Sequence, residues 1–184
     1  MILKTNEKSG LDMHKSNIHP EVGQLLVEQM ANELYNKMLY EEFASFYAEH
    51  GLVHLEKYFH SRAEEEEEHY QWIKKFLTDS DYTYSHPEVD KITENYKDLK
   101  EPFQISMDVE VTTTEDIYAI YDCAVEKKDW ITVQWLMSDD STYGNLIKEQ
   151  AEEMSLSRTV LEIAEMEDSW LNKERAIANI YNSR

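Results

Sequence analysis

Residues 55–77 read LEKYFHSRAEEEEEHYQWIKKFL, and this stretch decides the fold. Its apolar and aromatic residues recur every three or four positions from Leu55 to Leu77, which is the spacing of one face of an α-helix. Five consecutive glutamates lie in its middle, and successive side chains on a helix turn by about 100°. One or two of the five must therefore face the apolar side, and the apolar stripe projects onto Glu65 and Glu66. We expect the other three to form a charged face.

Similar periodic stretches precede and follow this one. Proline stands only at positions 20, 87 and 102, so long segments of the chain contain no proline that would break a helix. The periodicity predicts an all-α protein with four long helices and a short fifth one. The predicted helices run from Glu21 to about His50, from Leu52 to about Thr78, from about Asp98 to either 126–129 or 138–141, through 146–163, and onward from about Ser169.

The connection between the second and third helices covers residues 79–97, which is long for a compact domain. Two parallel helices of a bundle need such a connection, since the chain must return along the whole bundle. We therefore expect a four-helix bundle with one long crossover. Residues 1–19 are polar and aperiodic, so we expect a loosely held N-terminal extension before a single domain at 20–184.

The composition limits the classes of protein that fit. The formal net charge is −20, and the carboxylates are spread along the chain, so the protein should attract cations and bind neither nucleic acid nor anionic lipid. The sequence has no apolar run of the length of a membrane span or a signal peptide. Cys123 is the one cysteine, which excludes a disulfide framework within the chain and favours a reducing cytoplasm.

Glu66 and His69 form an E-x-x-H pair on the predicted second helix. At a spacing of three residues both side chains can reach one metal ion, and a carboxylate with an imidazole suits Fe, Mn or Zn. The pair alone is weak evidence, because glutamate runs are usually solvated and an inward histidine is usually a hydrogen-bonded core residue. The other helices strengthen it, since each carries polar residues on its apolar stripe. These are Glu33 and Tyr40 on the first helix, Glu110 on the third, and Gln150 and Glu153 on the fourth.

Four stretches together resemble the helices of non-haem bacterial ferritins, in the same order. They are LVEQMANELYNKMLYEEFASFY at 26–47, RAEEEEEHYQWIKKFLTD at 62–79, FQISMDVEVTTTEDIY at 103–118 and KEQAEEMSLSRTVLEI at 148–163. The resemblance covers about residues 20–165. It implies a ferritin-like four-helix bundle with a short C-terminal helix, which oxidises Fe(II) to Fe(III) with O2 or H2O2. It further implies a homo-oligomeric hollow shell of 24 subunits that stores the ferric mineral.

The resemblance also implies a role for each candidate residue. Glu33, Glu66 and His69 would bind a first iron, with Glu66 bridging to a second. Glu110 and Gln150 would lie at the second iron, with Tyr40 as a nearby hydrogen-bonding and redox-active tyrosine. The acidic positions that would build a third iron site are Glu65, Glu149, Glu152 and Glu153.

The chain departs from the family pattern between Glu110 and Gln150, where it is longer by about two helical turns. If both helices of this hairpin are one turn taller, Gln150 keeps its height opposite Glu66. If instead DWITVQWL at 129–136 starts the fourth helix at the usual level, Tyr143 replaces Gln150. The first alternative is favoured, because KEQAEEMSL matches the family pattern better than DDSTYGNLI.

Other classes fit the residues less well. Haem-containing bacterioferritins and rubrerythrin-like oxidoreductases need a second E-x-x-H on the fourth helix, where this chain has EQAEE, so we expect no haem. DNA-protecting mini-ferritins bind iron between subunits and often carry basic tails, and neither feature fits this sequence. A metal-free acidic helical scaffold would leave the inward glutamates without a counter-charge.

Overall fold

The computed structural model describes residues 16–92, 95–138 and 145–183, and it is helical throughout these ranges apart from the connections. No strand occurs in the described ranges, so the all-α prediction is confirmed. None of the described helices has the length and apolarity that crossing a membrane requires. The helices are α1 (Pro20–Glu49), α2 (Val53–Asp79), α3 (Glu101–Lys127), α4 (Trp130–Leu136), α5 (Leu146–Glu165) and α6 (Trp170–Tyr181).

Helices α1, α2, α3 and α5 form the bundle. A tight turn at Gly51, whose φ of 71° suits glycine, folds α2 back on α1 along its length. Helix α3 packs on α5 and α1. The short α6 packs on α2 and α5, where Glu174 accepts a hydrogen bond from the backbone N–H of His54 at the start of α2.

The connection from α2 to α3 runs along the whole bundle, as its length predicts. Near its beginning, the Tyr82 hydroxyl donates to the carbonyl of Pro20 at the start of α1. Near its end, the Leu99 carbonyl accepts a 2.8 Å hydrogen bond from the Tyr47 hydroxyl close to the end of α1. The chain thus travels from one end of α1 to the other, and α2 and α3 run in the same direction.

Residues 16–19 are held more firmly than the sequence suggests. The backbone N–H of Asn17 donates to the Ser80 carbonyl over 2.9 Å, and that of His19 donates to the Asp129 carboxylate over 2.7 Å. Ile18 is buried in the core. The expectation of a loose extension is therefore wrong for these four residues, because tertiary hydrogen bonds hold them, while residues 1–15 lie outside the described ranges.

The hairpin between α3 and α5 is not built from two lengthened helices. Helix α3 ends at Lys127, Lys128 takes the left-handed conformation with φ 60°, and α4 then forms a separate short helix. Trp135 of α4 stacks on Phe76 of α2 with their ring centroids 4.2 Å apart. The expectation of one extra turn in each helix is therefore wrong, and the earlier end of α3, at 126–129, is the correct one. Tyr143 lies outside the described residues.

The core of the bundle consists of two apolar clusters. One is rich in aromatic rings and includes Phe43, Phe59 and Phe103, while the other is mainly aliphatic and includes Leu26 and Ile73. On each of α1, α2, α3 and α5, the residues of one cluster precede those of the other along the helix. Between them every helix presents polar residues inward, and we call this belt the polar layer.

Phe59 lies at the centre of the aromatic cluster and is fully buried. Its ring contacts five others, those of Tyr40, Phe43, Tyr47, Tyr58 and Phe103.

We expect Phe59→Ala to lower the free energy of unfolding by about 3–5 kcal/mol, because it removes a large apolar side chain and leaves a cavity. Val53→Ala on the same helix is the control, since Val53 is half exposed and its loss should change stability by less than about 0.5 kcal/mol. Urea denaturation followed by circular dichroism measures both. Equal stabilities of the two variants would contradict the central role of Phe59.

Candidate metal centre

The polar layer gathers ionisable side chains from all four bundle helices. All of its main members are at least 95 % buried, although charged residues are rarely buried without a partner. Its members are Glu33 of α1, Glu66 and His69 of α2, Glu110 of α3, and Gln150 and Glu153 of α5. The predicted inward positions of the sequence are thus brought together at one height, and their role as iron ligands stays a prediction.

Glu33, Glu66 and His69 form the first of two groups whose ligand atoms lie within 4.8 Å of one another. The Nδ1 atom of His69 is 3.3 Å from Glu66 Oε2 and 4.0 Å from Glu33 Oε2. Glu33 Oε1 accepts a 2.8 Å hydrogen bond from Gln29, whereas Glu33 Oε2 is buried without a hydrogen-bond partner. Two carboxylates and an imidazole with an unpartnered oxygen fit a divalent cation such as Fe(II), Mn(II) or Zn(II).

Glu66, Glu110 and Glu153 form the second group, and Glu66 therefore belongs to both. Glu110 accepts hydrogen bonds from the Tyr40 hydroxyl over 2.5 Å and from Gln150 Nε2 over 2.8 Å. Gln150 of α5 thus lies beside Glu110 in the polar layer, and its role at a second iron stays a prediction. These donors fix the Glu110 carboxylate in one orientation toward the other two.

Arg62 is the member of the polar layer to which the sequence analysis assigned no role. It is fully buried, and its guanidinium lies 2.6 Å from Glu110 Oε1, 3.1 Å from Glu153 Oε1 and 3.9 Å from Glu66 Oε1. A further, shorter ion pair joins it to Glu65. Arg62 lies four residues before Glu66, so both side chains are on one face of α2. This spacing is the feature of the sequence that indicates an inward Arg62.

Gln29 was also missed, and it acts on the first group. It lies one turn before Glu33 on α1, is buried, and donates through Nε2 to Glu33 Oε1. This hydrogen bond orients the Glu33 carboxylate so that its other oxygen points toward His69. Residues that hydrogen-bond to a metal ligand without binding the metal themselves hold that ligand in one orientation.

The four residues expected at a third iron site do not form one compact group. Glu149 Oε2 and Glu153 Oε1 lie 3.5 and 3.7 Å from Nε2 of His69, on the side of the ring away from Glu66. Glu65 instead pairs with Arg62 and accepts a 2.9 Å hydrogen bond from Tyr181 of α6. Glu152 is exposed at the surface of α5.

The remaining glutamates of the run have the surface positions expected of a charged face. Glu64 and Glu68 are exposed. Glu67 is partly exposed and forms a 2.9 Å ion pair with Lys37 of α1. The run therefore places one carboxylate, that of Glu66, fully inside the bundle.

Tyr40 joins the polar layer to the aromatic cluster. Its hydroxyl donates to Glu110 and lies 3.3 Å from the Ser106 hydroxyl, which donates to it. The guanidinium of Arg62 lies over its ring, 5.4 Å from the centroid. Burial, reinforced by the charge of Glu110, raises the pKa of Tyr40 well above its usual value, so the phenol stays protonated as a donor.

The ionisation of the first group is set by burial and by neighbouring charges. Burial and the adjacent Glu66 raise the pKa of Glu33 well above its usual value. Burial alone would lower the pKa of His69, but Glu153, Glu149, Glu66 and Glu33 raise it well above the ordinary range of histidine. Both shifts favour the protonated forms of Glu33 and His69 when no metal is bound.

Comparison with known proteins finds a ferritin-like family and several ferritins. A family model described as "Ferritin-like domain" matches residues 23–166. "Ferritin BfrB" of Mycobacterium tuberculosis is 26 % identical over 157 residues, covering 85 % of this chain and 78 % of that protein. "Bacterial non-heme ferritin" of Escherichia coli O157:H7 is 27 % identical over 143 residues, with coverages of 76 % and 87 %. The protein of the same name from Campylobacter jejuni is 28 % identical over 145 residues, with coverages of 77 % and 81 %.

We expect metal binding at the first group to release protons, because the cation must displace them from Glu33 and His69. Since both pKa values are raised, affinity should increase as the pH rises and decrease on acidification. Calorimetric titration with Zn(II) in two buffers of different ionisation enthalpy measures the number of protons released. Glu33→Gln should release fewer protons than the parent, and a parent that released none would contradict the expected ionisation of the group.

Proposed function

The chain belongs to the ferritin-like domain family, and from this premise we propose that it is an iron-storage subunit with ferroxidase activity. In this proposal each subunit oxidises Fe(II) to Fe(III) at a di-iron centre in the polar layer. The ferric product is stored as a mineral inside a hollow shell. The relatives named as ferritins support iron storage as the general role.

The observation that carries the proposal is the charge balance of the polar layer. Glu33, Glu66, Glu110 and Glu153 are buried together, and among the described residues of this layer only Arg62 and His69 offer positive charge. Burying a carboxylate without a counter-charge is strongly unfavourable, so proteins pair such groups or use them to bind metal. Bound Fe(II) would supply the missing charge.

The two groups suggest how the iron ions are held. Glu33, Glu66 and His69 would bind the first iron, and Glu66 would also reach the second. Glu110 would bind the second iron, with Gln150 beside it. Oxygen donors with one imidazole favour Fe(III) over Fe(II), since Fe(III) is the harder cation.

Two irons held close together favour oxidation, because the two-electron reduction of O2 to peroxide is thermodynamically easier than its one-electron reduction to superoxide. Each Fe(II) gives one electron, and O2 with two protons becomes H2O2. With H2O2 as the oxidant, the same two electrons and two protons give two molecules of water. Tyr40 keeps the Glu110 carboxylate oriented throughout by its hydrogen bond.

A third iron could bind beside this pair. Glu149 and Glu153 converge near Nε2 of His69, which supports a site on that side of the ring. Glu65 and Glu152 would join it after movements of their side chains. Such a site would receive iron leaving the di-iron centre on the way to the mineral.

Storage of a mineral needs a closed assembly, since one subunit encloses no volume of that size. We propose a homo-oligomer of 24 subunits, following the family. The net charge of −20 would help to attract Fe(II) to the shell and to start mineral growth. The single cysteine supports a reducing compartment such as the cytoplasm.

Replacing Glu66 and His69 together by alanine should abolish rapid oxidation, because both iron sites lose ligands. We expect the rate to fall by more than the roughly 10–100-fold caused by loss of an outer partner in metal sites. The growth of ferric absorbance after aerobic addition of Fe(II) measures the rate. The matched control replaces the exposed Glu64 and Glu68 by alanine and should oxidise iron at the parent rate. A folded Glu66/His69 variant that matched the parent would overturn the site.

The assembly can be tested separately from the chemistry. We expect sedimentation velocity to give a mass of about 24 subunits, and electron microscopy of iron-loaded protein to show dense cores inside the particles. The Glu66/His69 variant should form the same shell but fill it slowly. A monomeric parent that stored no iron would rule out the storage function.

A further inference from the structure

The two groups of the candidate metal centre differ in one respect. In the first group, Glu33 Oε2 is buried and has no hydrogen-bond partner, and Arg62 comes no nearer to this group than 3.9 Å, at Glu66 Oε1. In the second group, a permanent cation already lies against all three carboxylates. That cation is the guanidinium of Arg62.

Arg62 is the centre of an ion-pair network with four carboxylates. One terminal nitrogen, Nη2, is 2.6 Å from Glu110 Oε1 and 3.9 Å from Glu66 Oε1. The other, Nη1, is 3.1 Å from Glu153 Oε1 and pairs also with Glu65. The planar, five-donor guanidinium is suited to such multiple contacts with carboxylates.

Arginine does not leave this position by losing its proton. A guanidinium is not deprotonated in proteins, and the carboxylates of Glu110 and Glu153, at 2.6 and 3.1 Å, stabilise its charged form. Because the side chain stays positive, a second metal ion beside Glu110 meets a like charge a few ångströms away. Two cations held by the same few carboxylates repel each other strongly in a buried site.

We propose, on the basis of the proposed function, that Arg62 is the resident counter-ion of the second group and sets the order in which the centre fills. One metal ion binds tightly at Glu33, Glu66 and His69. A second ion binds at Glu110 only when the Arg62 guanidinium moves away from Glu66 and Glu110.

In this proposal the guanidinium moves toward Glu65. Among its four carboxylate partners, Glu65 is the most exposed, with 36 % of its side chain accessible, whereas the other three are almost completely buried. Tyr181 of α6 holds Glu65 through a 2.9 Å hydrogen bond. Arg62 can therefore keep its ion pair with Glu65 while it gives up Glu110 to the incoming ion.

With this arrangement, the formation of the two-iron centre depends on the concentration of Fe(II). At low Fe(II) each subunit holds one ion and lacks the adjacent second donor for the two-electron reduction of O2. At higher Fe(II) the second ion displaces Arg62 and completes the pair. The second step is thus weaker than the first by the free energy needed to move the guanidinium.

The test is anaerobic calorimetric titration of the assembled protein with Zn(II), which is redox-inactive. The parent should bind one Zn(II) per subunit tightly and a second more weakly by at least about ten-fold, equivalent to about 1.4 kcal/mol. Arg62→Gln should bind two with similar affinity. Lys37→Gln is the matched control, since it removes a cation paired with Glu67 outside the polar layer, and it should titrate like the parent.

A second measurement covers the case in which Arg62→Gln does not fold. Crystals of the parent prepared at one and at saturating Zn(II) per subunit should differ at Arg62. The guanidinium should contact Glu110 in the first, and it should be displaced toward Glu65 in the second. Anomalous scattering from Zn(II) locates each ion.

The outcomes separate this inference from the proposed function. Two equally tight ions in the parent, or a second ion bound while Arg62 still contacts Glu110, would overturn the role of Arg62 and leave the di-iron proposal intact. An Arg62→Gln protein that folds but titrates like the parent would also overturn it. No tight ion in the parent, and no change on replacing Glu33 by Gln together with His69 by Ala, would remove the metal centre itself.

Discussion

Four carboxylates buried side by side in the middle of a helical bundle are the constraint on which the structure depends. Each would be better solvated in water, and each raises the energy of its neighbours. Several interactions within the bundle together lower this electrostatic cost. The cation of Arg62 and directed hydrogen bonds from Tyr40, Gln29 and Gln150 reduce the unfavourable charge. The raised pKa values of Glu33 and His69 favour their protonated forms, which reduces it further.

The apolar clusters on either side hold these groups in place. The aromatic cluster around Phe59 and the aliphatic cluster around Ile73 fix the heights of the four helices, so that the polar residues between them meet at one level. A layer with unbalanced charge is stable only where such packing supplies the remaining free energy. The buried carboxylates therefore repel one another before metal binds. A cation that reduces this repulsion stabilises the folded protein.

Much of this arrangement follows from helical periodicity. Glu33, Glu66, His69 and Glu110 could be assigned to the interior because long uninterrupted helices leave few choices of face. Arg62 could not, because a long side chain can end in the core or reach solvent from the same backbone position. Its direction depends on Glu110 and Glu153, which come from other helices. Residues 16–19 are a similar case, since their partners Ser80 and Asp129 are distant in sequence.

The break before α5 makes the height of α5 independent of the length of the segment that precedes it. If the segment 130–165 were one continuous helix, added residues would move Gln150 and Glu153 along the bundle and rotate them away from Glu110. The structure instead ends α4 at Leu136 and begins a new helix at Leu146. Asn145 joins the two ends, since its amide donates to the Met137 carbonyl and its oxygen caps the N–H of Lys148. The height of α5 is then set by its own contacts in the core, among them Leu156 and the hydrogen bond from Gln150 to Glu110, and not by the length of chain that precedes it.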